Sequence, residues 1–124
     1  MKRIKHLGIW MDHSNACIME LAKEITVQRV VSELTNHKAE FNLYKGEKLM
    51  QKKERHLQLS YYKKIGDIIK KYQDVVLFGP TDAKSELFNL IKADHVFEDI
   101  KIEVRNSDKM TEDQMQVFVR DYFK

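Results

Sequence analysis

Val75-Val76-Leu77-Phe78-Gly79-Pro80-Thr81-Asp82-Ala83-Lys84-Ser85-Glu86-Leu87 is the stretch whose reading decides the fold. It opens with an apolar run that does not alternate, the mark of a short strand buried on both faces, as in parallel sheets. Gly79-Pro80 stops that strand, because proline has no N–H to give a ladder and glycine reaches backbone angles closed to other residues. Thr81 or Asp82 then offers a side-chain oxygen to cap a helix whose apolar stripe is Ala83, Leu87, Leu90 and Ile91. Ile100, Ile102 and Val104 alternate beyond it as a further strand. Strand, helix and strand in that order require a parallel pair with a right-handed crossover.

Working outward, Tyr61, Ile65, Ile68, Ile69 and Tyr72 share one helical face, with lysines on the other. Leu7 to Met11 and Ala16 to Leu21 read as two strands joined by the turn cluster Asp12-His13-Ser14-Asn15. Glu24 to Leu34 is a third strand whose alternation slips at Val30-Val31, which predicts a bulge or a bend. At the far end, Thr111 and Gln114 form a capping box ahead of a helix striped by Met115, Phe118, Val119 and Tyr122. The order is β-β-β-α-β-α-β-α. It predicts one α/β domain over residues 1–124, with three helices on a mixed five-stranded, ribonuclease H-like sheet of strand order 3-2-1-4-5.

The bulk composition fits such a domain. The chain has 124 residues, 43% hydrophobic and 33% charged, which is too apolar for disorder and long enough for a core. Cys17 is the single cysteine, so no disulfide frame is available within the chain, and a reducing, cytoplasmic setting is expected. The basic start Met1-Lys2-Arg3 is followed by an apolar run broken at Asp12 and His13, unlike a signal peptide. No stretch reaches the ~18 apolar residues of a membrane span, so no membrane partner is expected. A net charge of +3 permits a nucleic-acid partner without requiring one.

The stretch from Val75 to Leu87 also resembles the central domain of the eukaryotic and archaeal peptide-chain release factor and its rescue relative Pelota. There a buried strand runs into Gly-Pro, a short turn, a lysine and a helix. Tyr61-Tyr62-Lys63-Lys64-Ile65 is similar to the helix before that strand, and Leu7 to Asp12 with Ala16-Cys17-Ile18 to the first hairpin; bacterial relatives are the nearest in kind. The resemblance implies a component of the translation machinery that touches ribosomal RNA or tRNA. It does not carry over peptidyl-tRNA hydrolysis. The release factor's Gly-Gly-Gln loop falls between the third strand and the first long helix, and that interval here holds Lys45 to Arg55 with Gly46 alone.

Four sets of residues are candidates for chemistry. Lys45, Lys48, Lys52, Lys53 and Arg55 outnumber Glu47 and Glu54 in a segment without clear period. A long basic loop is expected there, flanked by Tyr44, Tyr61 and Tyr62, and suited to phosphate contact and base stacking. Gly79, Pro80, Thr81 and Lys84 could present a helix N-terminus to an anion, although Asp82 opposes phosphate and helix capping is the plainer role. Asp12, at the end of the first strand, is where ribonuclease H-like nucleases hold metal, but two-metal chemistry needs several converging carboxylates; a hairpin turn is the simpler reading. The histidines His6, His13, His37, His56 and His95 have no metal-ligand spacing, so neither a metal site nor a cofactor is expected. Cys17 reads as a small core residue, with only sequence proximity to His13 favouring a nucleophile pair.

These readings give a non-catalytic RNA-binding module as the first expectation. A metal-dependent nuclease using Asp12 is one alternative. A homodimer pairing along an uncovered edge, Ile25 to Leu34, is another.

Overall fold

The structure, a computed structural model, describes residues 6–32 and 47–124. Five strands form one sheet: β1 (His6–Met11), β2 (Asn15–Leu21), β3 (Ile25–Val31), β4 (Asp74–Gly79) and β5 (Lys101–Asn106). Three α-helices lie among the described residues: α1 (Glu47–Ile69), α2 (Ala83–Lys92) and α3 (Glu112–Tyr122). The strand order is β3-β2-β1-β4-β5, as expected. β1 pairs antiparallel with β2 and parallel with β4; β2 and β3 are antiparallel, and β4 and β5 parallel.

β4 shows why its sequence does not alternate. Val75, Val76, Leu77 and Phe78 are all fully enclosed. Val75 and Leu77 join the core beneath α1 and α2, whereas Val76 and Phe78 join the core beneath α3. The Phe78 ring stacks on Phe118 of α3 with centroids 4.1 Å apart. Each such side chain contributes roughly 1.5–3 kcal/mol by burial. β1 divides in the same way, with Leu7, Ile9 and Met11 on one face and Trp10 on the other.

Two glycines set the close contacts of this three-layer arrangement. A Cβ on Gly8 would lie 2.3 Å from Val119 Cγ2, so the bare backbone of β1 is what lets α3 settle onto the sheet. Gly79 has φ +148°, and a Cβ there would lie 2.2 Å from the Met11 carbonyl oxygen. Its conformation and its space both exclude a side chain. The close approach at Gly79 is therefore between the ends of β4 and β1.

Three local expectations are corrected. β3 has no bulge: its register with β2 is unbroken from Ile25 opposite Leu21 to Val31 opposite Asn15. Val30 is buried beneath α1 and α2 while Val31 is exposed, so alternation continues through the pair. The strand ends at Val31, short of Leu34, which lies outside the described residues. The segment expected as a basic loop is helical from Glu47 onward. Tyr72, expected in that helix, lies past its end and donates its hydroxyl to Glu20 at 2.5 Å.

The expectation for the start of α3 holds. Thr111 Oγ1 accepts from the Gln114 N–H, and Gln114 Oε1 accepts from the Thr111 N–H, which is the capping box. Ahead of α2, however, Asp82 makes no side-chain cap bond; the Thr81 hydroxyl accepts from the Ala83 N–H at 3.3 Å instead. No helix among the described residues is long and apolar enough to cross a membrane.

Gly8→Ala is expected to cost about 1–3 kcal/mol through overpacking. In a denaturant-unfolding double-mutant cycle with Val119→Ala, the two substitutions should be strongly non-additive, because the smaller side chain removes the collision. Additive losses would refute the contact. Gly79→Ala should destabilise more, with no partner substitution that rescues it, because the obstacle is backbone.

Candidate functional site

The carboxyl ends of β1 and β4 lie side by side, since Trp10 is opposite Phe78 in the parallel ladder. Ligands of open α/β sheets favour this end of adjacent parallel strands. The turn after β1 is built by Asp12, whose Oδ1 accepts from the N–H groups of Ser14 (2.8 Å) and Asn15 (2.7 Å). The turn reading of Asp12 is therefore correct, and its carboxylate is engaged by backbone. Helix α1 clamps this turn from outside: the Tyr61 hydroxyl donates to the Asp12 carbonyl at 2.9 Å, and Gln58 Nε2 donates to the His13 carbonyl at 3.2 Å.

Next to the turn a hydrogen-bonded chain crosses three elements. The Tyr62 hydroxyl of α1 donates to Glu86 Oε1 of α2 at 2.5 Å, and His13 Nε2 stands 3.4 Å from Glu86 Oε2. The Tyr62 bond, more than any other influence, holds the Glu86 carboxyl below the ordinary carboxylate range; burial works against it, and His13 assists. Burial first, and then the bond to Glu86, pushes the Tyr62 hydroxyl well above the phenol range, so it stays a proton donor. Burial, followed by the nearby Asp12 and Tyr62, does the same to Tyr61.

This chain lies in an open groove of about 880 Å³ between α1 and α2. Glu54, Arg55, Gln58 and Leu59 line it from α1, and Glu86, Asn89 and Leu90 from α2. Leu90, which its spacing assigns to the core stripe, is 47% exposed here, and Leu59 across the groove is 46% exposed. A narrower apolar cleft of about 200 Å³ continues between the same helices, past Gly66 to Phe97.

The residues singled out from sequence do not all meet here. Lys52, Lys53 and Arg55 are exposed on α1, and Arg55 reaches the groove. Lys48 belongs to the same helix, and Lys45 lies outside the described residues, as does Tyr44. Tyr61 and Tyr62 are buried and present no face for base stacking. Gly79 is buried, and Pro80 is exposed beside it. Lys84 is only 3% exposed and points inward, its Nζ donating to the Thr81 carbonyl at 2.5 Å. It fastens the turn from inside, away from any surface anion. Cys17 is buried on the α3 side of the sheet, where burial pushes its thiol up, and His13 is turned to Glu86. Among the described residues no group of three or more His, Cys, Asp or Glu side chains is placed to hold a metal ion. Glu112, on α3, is paired with Arg29.

His13, Gln58, Glu86 and Asn89 had no sequence signal as a set. The i, i+4 spacing of Gln58 and Tyr62, and the i, i+3, i+4 spacing of Glu86, Asn89 and Leu90, does place each group on one helical face. Which two faces would meet needed the tertiary structure.

No family model matches the chain, and no curated protein matches it in sequence. Solved structures do. Pelota from Thermoplasma acidophilum superposes with a TM-score of 0.63 at 15% identity, over 94% of this chain and 32% of that one. Pelota from Archaeoglobus fulgidus gives a TM-score of 0.61 at 8% identity, over 97% of this chain and 32% of its own. The fold is Pelota-like. The chain spans about a third of the length of those Pelota proteins, and at such identities the likeness is one of fold.

Removing the Tyr62 hydroxyl tests the hydrogen-bonded chain. In Tyr62→Phe the Glu86 carboxyl, followed by carbon NMR, should titrate at higher pH than in the parent. A depressed carboxyl stabilises the fold above its unfolded pKa, and that share is lost as pH falls through the folded value. The deficit of the variant should therefore narrow on acidification through the titration of Glu86. An unchanged Glu86 titration would show that the bond is not formed.

Proposed function

We propose that the protein is a non-catalytic RNA-binding module of the translation apparatus, which meets ribosomal RNA or tRNA with the amino-terminal turns of α1. One observation carries the reading. Gln58 meets His13 at the end of β1, and α1 runs on for roughly 16 Å amino-terminal to that point. This part of the helix holds the exposed Lys52, Lys53 and Arg55, with Lys48 in the same helix and Lys45 just ahead of it in sequence. A polyphosphate partner neutralised by these cations releases its condensed counterions, which drives association.

The Pelota-like fold supports a translation role, as does the resemblance of Val75 to Leu87 to the release-factor and Pelota central domain. Buried Tyr61 and Tyr62 remove base stacking on those rings from the reading, leaving backbone contact by the cations. The nuclease alternative needs carboxylates that converge on Asp12, and Asp12 is held by its own turn. The comparisons give no support to two copies pairing along β3.

Replacing Lys52, Lys53 and Arg55 together with glutamate should abolish co-sedimentation with ribosomes at low salt. Replacement with glutamine should weaken it and flatten its salt dependence, by about 0.7–0.9 log units of affinity per log unit of salt for each phosphate that is no longer neutralised. Surface changes of this kind should leave stability within about 0.5 kcal/mol each. The reading fails if the parent protein never co-sediments at low salt.

A further inference from the structure

We propose that the groove between α1 and α2 holds the base of a guanine nucleotide. This deepens the RNA-binding reading above and rests on it. The groove combines three kinds of chemistry in one place. Leu59 and Leu90, on opposite helices and each nearly half exposed, supply apolar walls for the faces of a planar ring. Glu86 supplies a carboxylate at the floor whose side chain is 51% exposed in spite of its two protein partners. Arg55 stands in the lining, with Lys52 and Lys53 further along the same helix, toward which a phosphate would lie.

The carboxylate selects the base. An ionised carboxylate only accepts hydrogen bonds, and it has about four lone-pair sites on two oxygens. Tyr62 uses one site on Oε1, and His13 stands at long range from Oε2, so each oxygen keeps capacity toward the groove. Guanine alone among the common bases carries two adjacent donors on its Watson–Crick edge, N1–H and the N2 amino group. Adenine and cytosine each present one amino donor beside ring or carbonyl acceptors, and uracil one N–H between two carbonyls. The Asn89 amide, one helical turn beyond Glu86, supplies an N–H donor for the O6 acceptor on the same edge. The groove volume of about 880 Å³ accommodates a nucleotide, since small-molecule sites span roughly 300–1,000 Å³.

An arginine side chain of a protein partner carries a similar pair of donors and is the main competitor. Arg55 is the cation of the lining and Glu54 stands beside it, while Lys52 and Lys53 lie on the preceding turn of α1 as further cations for a phosphate; the arginine derivative in the titration below decides between the two ligands.

The test is an amide NMR titration of the whole chain with GMP, IMP, AMP, CMP and UMP, and with N-acetyl-arginine amide. GMP should shift Leu59, Tyr62, Glu86, Asn89 and Leu90. IMP, which lacks the N2 amino group, should bind at least about tenfold more weakly, as should GMP to Glu86→Gln. Asn89→Ala, at an exposed position, should weaken GMP without affecting the fold. Two single-stranded RNA heptamers, with one central guanosine or one central adenosine, distinguish the source of the base. Tighter binding of the guanosine heptamer than of GMP points to a strand, and equal binding to a free nucleotide. Equal shifts from all five nucleotides, GMP binding indifferent to Glu86→Gln, or the arginine derivative binding in place of GMP would each overturn the proposal. Guanine selectivity absent with ribosome co-sedimentation intact overturns this inference alone; both absent overturns the RNA reading as well.

Discussion

The parallel pairing of β1 with β4 is the constraint on which the rest of the structure depends. β1 is buried on both faces and bonded along both edges, so each layer is positioned by it. The pairing closes as tightly as it does because two backbone positions carry no side chain. At Gly79 the chain leaves β4 against the Met11 carbonyl in a conformation that L-residues avoid. At Gly8 the backbone meets Val119 directly, which brings α3 down onto Trp10, Val76 and Phe78. The same end of the β1–β4 pair launches the Asp12 turn and the start of α2, so the geometry of the groove follows from where these two strands stop.

Much of this is legible in the sequence because the relevant signals are local. Val75 to Phe78 reads as doubly buried because nothing polar interrupts the run, and the capping box at Thr111 needs only residues three apart. The strand order follows from the element order, since a parallel β4–β5 unit after an antiparallel meander leaves few arrangements. The errors have physical causes. Val30-Val31 looks like a slip because an edge strand can leave a valine exposed on a thinly covered face. Glu47 to Arg55 looks like a loop because its charged residues obscure any apolar period, yet its lysine, glutamate, glutamine and arginine residues are good helix formers.

The groove is not legible in the sequence, for a different reason. Its members come from a turn and two helices, and Tyr62 and Glu86 are separated by 24 positions. From sequence Tyr62 is an aromatic flanking a loop, whereas in the fold it is the buried donor that orders Glu86. Leu90 sits where the α2 stripe should continue, but that helix turns it into the groove, and Lys84 takes a place inside. The methylene stem of Lys84 packs within the fold while its ammonium fastens the Thr81 carbonyl, so a residue with an anion-binding look instead stiffens the Gly79–Asp82 turn.

These contacts also determine what kind of surface the groove is. Asp12 locks its turn through two backbone N–H groups, Tyr61 and Gln58 tie that turn to α1, Tyr62 ties α1 to α2, and Lys84 ties α2 to the end of β4. These bonds tie the groove walls to one another, so the walls have little freedom left to lose when a partner docks, and ordering costs of about 0.5–1.5 kcal/mol per immobilised side chain fall mainly on the exposed lysines and arginine. In the proposed function, affinity for a polyanion would come from the exposed cations of α1 and discrimination among ligands from the fixed groups beside them. That separation would give the two parts of the site independent sensitivities, the first to ionic strength and the second to the shape and donor pattern of the ligand.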